Sequence, residues 1–258
     1  MSTMQLLTTG WTWDPGVIVP ALAGLAAYIL ACGISRLPYF LIALALYAAA
    51  LISPINTLAD GYLFSAHMVQ HLLLLLLVPP FLLLSLPRTV TVPNRLRLLT
   101  HPIAGWIAGA GAMWLWHAPA LCNAAVTSRP IHGIQTASLL FLGTIFWWQT
   151  LAPRESDRLP PLTAVVYLFS SCATCSVLGI ILTFSPITVC AIYMHPVDRL
   201  GLLSTIRNDW GMTPQKDQQL GGLLMWAPMC LVYLSAVIAQ LVHWFREPAP
   251  GLLSKEAS

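Results

Sequence analysis

Seven long apolar stretches govern what this chain can fold into. They run from Gly16 to Ile34, Leu37 to Ile55, Tyr62 to Leu86, Ile103 to Ala124, Ile131 to Leu151, Leu162 to Phe184 and Leu220 to Phe245, and none contains an Asp, Glu, Lys or Arg. A helix needs about 20 mostly apolar residues to cross a bilayer. Its backbone groups must then be satisfied within the segment itself. The stretches therefore predict an all-α polytopic membrane protein, a bundle of about seven transmembrane helices forming one integral membrane domain over residues 1–258. Trp and Tyr near many of the ends fit interfacial belts, and Pro79-Pro80 should kink the third helix near its far end.

Composition closes off the alternatives. Residues are 57% hydrophobic and 8% charged, whereas soluble domains carry roughly a quarter charged residues. A net charge of +3 spread over isolated arginines makes no basic face, so nucleic acid is not an expected partner. Pumps, ion-coupled transporters and voltage sensors carry intramembrane charge, which these stretches lack. A GxGxxG motif, a P-loop and a nucleophile elbow are absent, and His67-Met68-Val69-Gln70-His71 lacks the Glu of the zinc protease motif, so no turnover chemistry is expected. Six Cys in a long membrane chain do not read as a disulfide framework, and the N-terminus has no basic n-region or cleavage site of a removable signal peptide.

Lys and Arg set the expected orientation. With the N-terminus outside, inner segments hold Arg36, Arg88, Arg95, Arg97, Arg154, Arg158, Arg246 and Lys255, eight in all, against four outside: Arg129, Arg199, Arg207 and Lys216. An N-out, C-in arrangement follows, with an outer polar loop at about 185–219.

The ionisable groups left at membrane depth are His, Cys and Tyr. His67 and His71 are four apart and share one helix face. Two such imidazoles can bind one transition metal; hydrogen bonding to neighbouring helices is the other reading. In the N-out topology His117, His132, Asp217, Gln218 and Met225 come to a similar level near the outer face, on four separate helices in all, and His195 and Met194 sit in the outer loop. His101 and His243 fall at the inner boundary, as interfacial residues. Cys172 and Cys175, three apart in the sixth helix, can take soft Cu(I) or serve close packing. Cys32, Cys122, Cys190 and Cys230 are scattered and read as structural.

Several motifs in order then resemble a known family. They are Ser65-Ala66-His67-Met68-Val69-Gln70-His71 ending in Val78-Pro79-Pro80, then Trp114-Leu115-Trp116-His117-Ala118-Pro119, His132-Gly133-Ile134-Gln135 and Phe146-Trp147-Trp148. The last is Asp217-Gln218-Gln219-Leu220-Gly221-Gly222 followed by Met225-Trp226. From about Leu51 to His243 the chain resembles the CtaG family of caa3-type cytochrome c oxidase assembly factors, seven-helix proteins of the bacterial inner (plasma) membrane. The resemblance implies assembly of a haem–copper oxidase through contact with its subunits, with copper handled near the outer, periplasmic face. The matching positions are His67, Met68, His71, His117, His132, Asp217, Gln218 and Met225. Relatives often carry a second His after the residue matching Gln135; here it is Thr136. A haem-binding membrane cytochrome, a copper transport or tolerance protein, and a purely structural oxidase scaffold are the other functions compatible with these residues.

Overall fold

The computed structural model describes residues 1–246, so Lys255 of the charge count lies outside the described residues. All regular structure among them is helical. A short α1 (Thr3–Thr9) precedes α2 (Pro15–Cys32), α3 (Leu37–Leu51) and α4 (Pro54–Ala59). Next come α5 (Phe64–Leu72) and α6 (Val78–Ser85), then α7 (Pro102–Trp116), α8 (Pro119–Thr127) and α9 (Arg129–Leu151). The long α10 (Pro161–Phe184) and α11 (Pro214–Arg246) close the fold.

Among the described residues, five segments are long and apolar enough to cross a membrane: Pro15–Cys32, Leu37–Ala59, Phe64–Ser85, Pro161–Phe184 and Pro214–Arg246. The expected fourth span is shorter than the sequence suggested. Pro119 has no N–H and biases Ala118 away from helix, so α7 stops at Trp116 after 15 residues and α8 starts afresh. At about 1.5 Å per residue α7 is roughly 22 Å long, less than the hydrocarbon core of about 30 Å. The expected fifth span forms α9, 23 residues long, but its polar face of Arg129, His132, Gln135 and Thr136 lowers its hydropathy. The second stretch breaks at Ser53, whose hydroxyl caps α4 by accepting from the Ile55 N–H (3.2 Å).

The kink expected at Pro79-Pro80 takes the form of a change of helix type just before them. They withhold two donors from the helical ladder, and the chain widens into a π turn at Leu73–Leu77 between α5 and α6. The Leu75 carbonyl faces α9 there, where a side chain at Gly143 would come within 2.6 Å of it. Small residues also set the α10–α11 contact. A Cβ on Gly222 would lie 2.4 Å from the Thr183 nitrogen, and one on Gly179 would lie 2.8 Å from the Trp226 Cβ. In a bilayer, where apolar surface has no water to escape, such close backbone approach supplies much of the association.

The bundle has two distinct ends. At one, Arg36 donates to the Leu84 and Leu86 carbonyls at the end of α6 (3.3 and 3.1 Å), Arg88 pairs with Glu155, and Arg158 donates to the Ala152 carbonyl (2.7 Å). At the other, the segment after α10 folds back over the helix ends. The Tyr193 hydroxyl donates to the Ala59 carbonyl (2.7 Å), the Ile192 N–H to Asn123 Oδ1 (3.0 Å), and Cys190 forms a disulfide with Cys122 of α8. Cys122 and Cys190, read from the sequence as scattered structural cysteines outside any disulfide framework, are thus joined to each other. The polar loop is also shorter than expected, because Asp217, Gln218 and Gln219 belong to the first turns of α11.

Glycine at the α10–α11 contact gives a direct test. Overpacking a tight interface costs about 1–3 kcal/mol. Gly179→Leu or Gly222→Leu should lower the thermal midpoint of the detergent-solubilised protein by several degrees. Gly24→Ala, where nothing lies within 4 Å of the added Cβ, should leave it unchanged.

Candidate metal centre

The centre starts with how α5 begins. Its first turn leaves backbone N–H groups without helical acceptors, and no residue next to it in sequence caps it. The cap comes from α11. Asp217 accepts from the Phe64 N–H (2.7 Å), the Ser65 N–H (3.0 Å) and the Ser65 hydroxyl (2.6 Å). A carboxylate at a helix N-terminus is favoured by both hydrogen bonding and the helix dipole. Gly221, one turn further along α11, lets Phe64 and Met68 lie against the bare backbone.

This docking fixes the face of α5. His67 and His71 are each 1% exposed and their rings lie 4.5 Å apart. His132 of α9 stands 6.3 Å from His67, and His117, at the C-cap of α7, stands 5.1 Å from His71. His117 Nδ1 is 2.6 Å from the Met113 carbonyl, which makes it the donor nitrogen and leaves Nε2 to face the Met68 sulfur at 3.0 Å. Three buried imidazole nitrogens, His67 Nε2 and both nitrogens of His71, make no well-formed hydrogen bond, although the Gln70 and Gln135 amides lie beside the two rings. Each unsatisfied buried group costs about 1–3 kcal/mol, and native proteins leave few of them.

The ring spacings suit a shared ion. Bonds of about 2 Å from two imidazoles to one ion put ring centroids roughly 4.5–6.5 Å apart. No three His, Cys, Asp or Glu side chains among the described residues already meet in the geometry of a preformed metal site. Side-chain movement would have to draw the donors together. A polar cavity of about 770 Å³ reaches the centre, lined by Asp14, Asn56, Asp60, His67, Gln70, His132 and Arg199 among others. Tyr193 roofs the cluster with its ring 6.2 Å from His67. Burial, reinforced by the Asp217 and Asp60 carboxylates, holds its phenol well above the ordinary tyrosine pKa, so it remains a hydrogen-bond donor.

The other residues singled out in the sequence lie elsewhere or are engaged. Both oxygens of Asp217 are taken up by α5. Gln218 pins the loop by accepting from the Val189 N–H (3.1 Å) and donating to the Ser185 and Ile187 carbonyls (3.2 Å each). Met225 is fully buried in the core, and His195 is exposed in the loop. Cys172 and Cys175 sit on α10 away from the histidines, and Cys172 faces Cys230 of α11 rather than Cys175. Gln70, Asn56 and Tyr193 were not singled out as site residues. Gln70 donates to the Ala50 carbonyl and to Asn56 Oδ1 (2.8 Å each), which holds α5 against α3 and α4. Its position between the two histidines was the available signal.

Fold and centre together define a helical, multi-pass membrane protein with a buried histidine cluster at one end of the bundle. The chain belongs to the family of cytochrome c oxidase caa3 assembly factors, whose family model matches residues 24–247. It is 22% identical to the uncharacterized protein ML1998 of Mycobacterium leprae over 209 residues, covering 72% of this chain and 30% of that one. It is 23% identical over 262 residues to the uncharacterized proteins Mb0105 of Mycobacterium bovis and MT0111 of Mycobacterium tuberculosis, covering 92% of this chain and 35% of each. The chain thus spans about a third of the length of these relatives. No solved structure matches it.

Asp217→Ala strands three donors of α5, so it should lower stability by about 2 kcal/mol or more, read as a fall in thermal midpoint. Asp217→Asn, which keeps one carbonyl acceptor, should fall between Ala and wild type. Equal midpoints for all three would remove the carboxylate from the architecture.

Proposed function

We infer that the protein is an assembly factor for a haem–copper cytochrome c oxidase, and that its cargo is copper held by His67, His71, His117 and His132 with the Met68 thioether. The observation that carries this reading is the set of buried imidazole nitrogens on α5 that make no well-formed hydrogen bond. Imidazole with thioether suits copper in either oxidation state. An open, incompletely closed donor set suits an ion that must be given up again. Asp217 and Gln218, named above as candidate ligands, then act by positioning α5 and the loop, and Met225 by packing.

In this reading α7, its shortness taken up by local thinning of the bilayer, and α9 are two further membrane crossings, giving seven, with the N-terminus outside and the C-terminus inside the bacterial plasma membrane. Two observations support it. The arginines Arg36, Arg88 and Arg158 gather at the end opposite the histidines, as inner positive charge requires. The Cys122–Cys190 disulfide sits at the histidine end, and disulfides persist in oxidising, extracytoplasmic compartments. The cavity beside Asp60 and His132 then opens toward the periplasm, where an outer copper centre of an oxidase subunit would be filled.

The test is a deletion strain complemented with wild type or with His67→Ala plus His71→Ala. The double variant should reach the membrane, lose at least tenfold in retained copper and fail to restore oxidase activity. Full oxidase activity with unchanged copper would defeat the assignment, and a Soret band in the purified protein would replace copper with haem.

A further inference from the structure

A second group of soft donors lies away from the histidines, where α10 packs on α11. Cys172 Sγ is 3.3 Å from Cys230 Sγ, and the Ser176 hydroxyl is 3.1 Å from the same Cys230 sulfur. Cys175, fully buried, sits one turn from Cys172. Both residues of the close pair are partly exposed on the bundle surface. Both also stand near the middle of their helices. Cys230 is nine residues beyond Gly221, the residue that abuts Met68, or roughly 13 Å further along the helix axis at about 1.5 Å per residue.

We propose that Cys172 and Cys230 form a second metal site of this protein, a thiol pair for Cu(I) at mid-membrane depth, separate from the histidine cluster. The sulfur separation is longer than the roughly 2.05 Å of a disulfide. It is about 1 Å shorter than two sulfurs need to share an ion through bonds of about 2.3 Å. Rotation of one side chain supplies that difference without moving either helix. Softness selects the ion, because thiol and thiolate sulfur favour Cu(I). Charge selects the form. A bis-thiolate would carry a net negative charge at a depth where charge is expensive. Cu(I) arrives on a carrier thiolate: as the carrier's Cu–S bond breaks and the bond to Cys230 Sγ forms, the Cys230 proton passes to the sulfur left behind, Ser176 donates to the new thiolate, and Cys172 binds as the neutral thiol, leaving an uncharged unit. Oxidation states do not change in this step. The pair differs from Cys122 and Cys190, which the fold has already closed into a disulfide.

The experiment measures Cu(I) retained by purified full-length protein, loaded without oxygen from a Cu(I) chelator. Four forms are compared: wild type, His67→Ala/His71→Ala, Cys172→Ser/Cys230→Ser, and all four changes together. The expected stoichiometries are two, one, one and zero. The copper left in the histidine variant should show a thiolate-to-copper ultraviolet band. In that background Cys172→Met, which keeps a soft donor, should retain copper, whereas Cys172→Ser should lose it. Equal copper in the histidine variant with and without the two serines overturns the thiol site. So does alkylation mapping that finds Cys172 and Cys230 joined as a disulfide in protein taken directly from membranes. Failure of the histidine assignment reads differently: copper would be unchanged by the two alanines and lowered only by the serines.

Discussion

The Asp217 carboxylate, buried between α11 and the start of α5, holds the arrangement on which the histidine cluster depends. A helix that begins inside a protein must find acceptors for its first N–H groups, and α5 finds them on a residue about 150 positions away in sequence. The same contact sets the rotation of α5 about its axis, because Gly221 admits Phe64 and Met68 on one side only. With that side committed to α11, His67 and His71 face α7 and α9, where His117 and His132 stand. The π turn below His71 and the Gln70 bonds to Ala50 and Asn56 fix the remaining freedom. The cluster is thus held by a carboxylate, the contacts at Gly221 and an amide.

The two ends of the bundle divide the work. One carries arginines that cap helix carbonyls and pair with Glu155. The other carries a disulfide, a folded-back loop, the histidines and a polar cavity leading to them. On the proposed reading, a cation would approach through these polar surroundings and be held where competing water is scarce. Capture and release place opposite demands on such a centre, and ring spacings that suit an ion without already enclosing one are compatible with both.

Much of this was legible in the sequence. Unbroken apolar stretches gave the helical membrane architecture, and the i, i+4 spacing of His67 and His71 placed them on one face. Depth counting brought His117 and His132 to the same level, because helix length is a local property. Facing is not local, and there the sequence fell short. Asp217 read as a ligand because a carboxylate at a helix mouth looks the same whether it awaits an ion or another helix. Cys172 was read with Cys175, its neighbour in sequence, but glycine-mediated packing of α10 on α11 presents it to Cys230 instead. Cys122 and Cys190 both fell at the outer end of the expected topology, a signal that could have paired them. Pro119 was visible too, and its effect on the length of α7 follows from its missing N–H.

The proposed copper ligands are imidazoles on three helices. X-ray absorption at the copper edge tests this most directly, on protein carrying Cys172→Ser and Cys230→Ser and loaded with one equivalent of copper. At least two nitrogen neighbours at about 2.0 Å with the outer-shell scattering of imidazole rings are expected, together with one longer sulfur from Met68. A first shell without imidazole scattering, or no copper retained at all, would contradict the assignment.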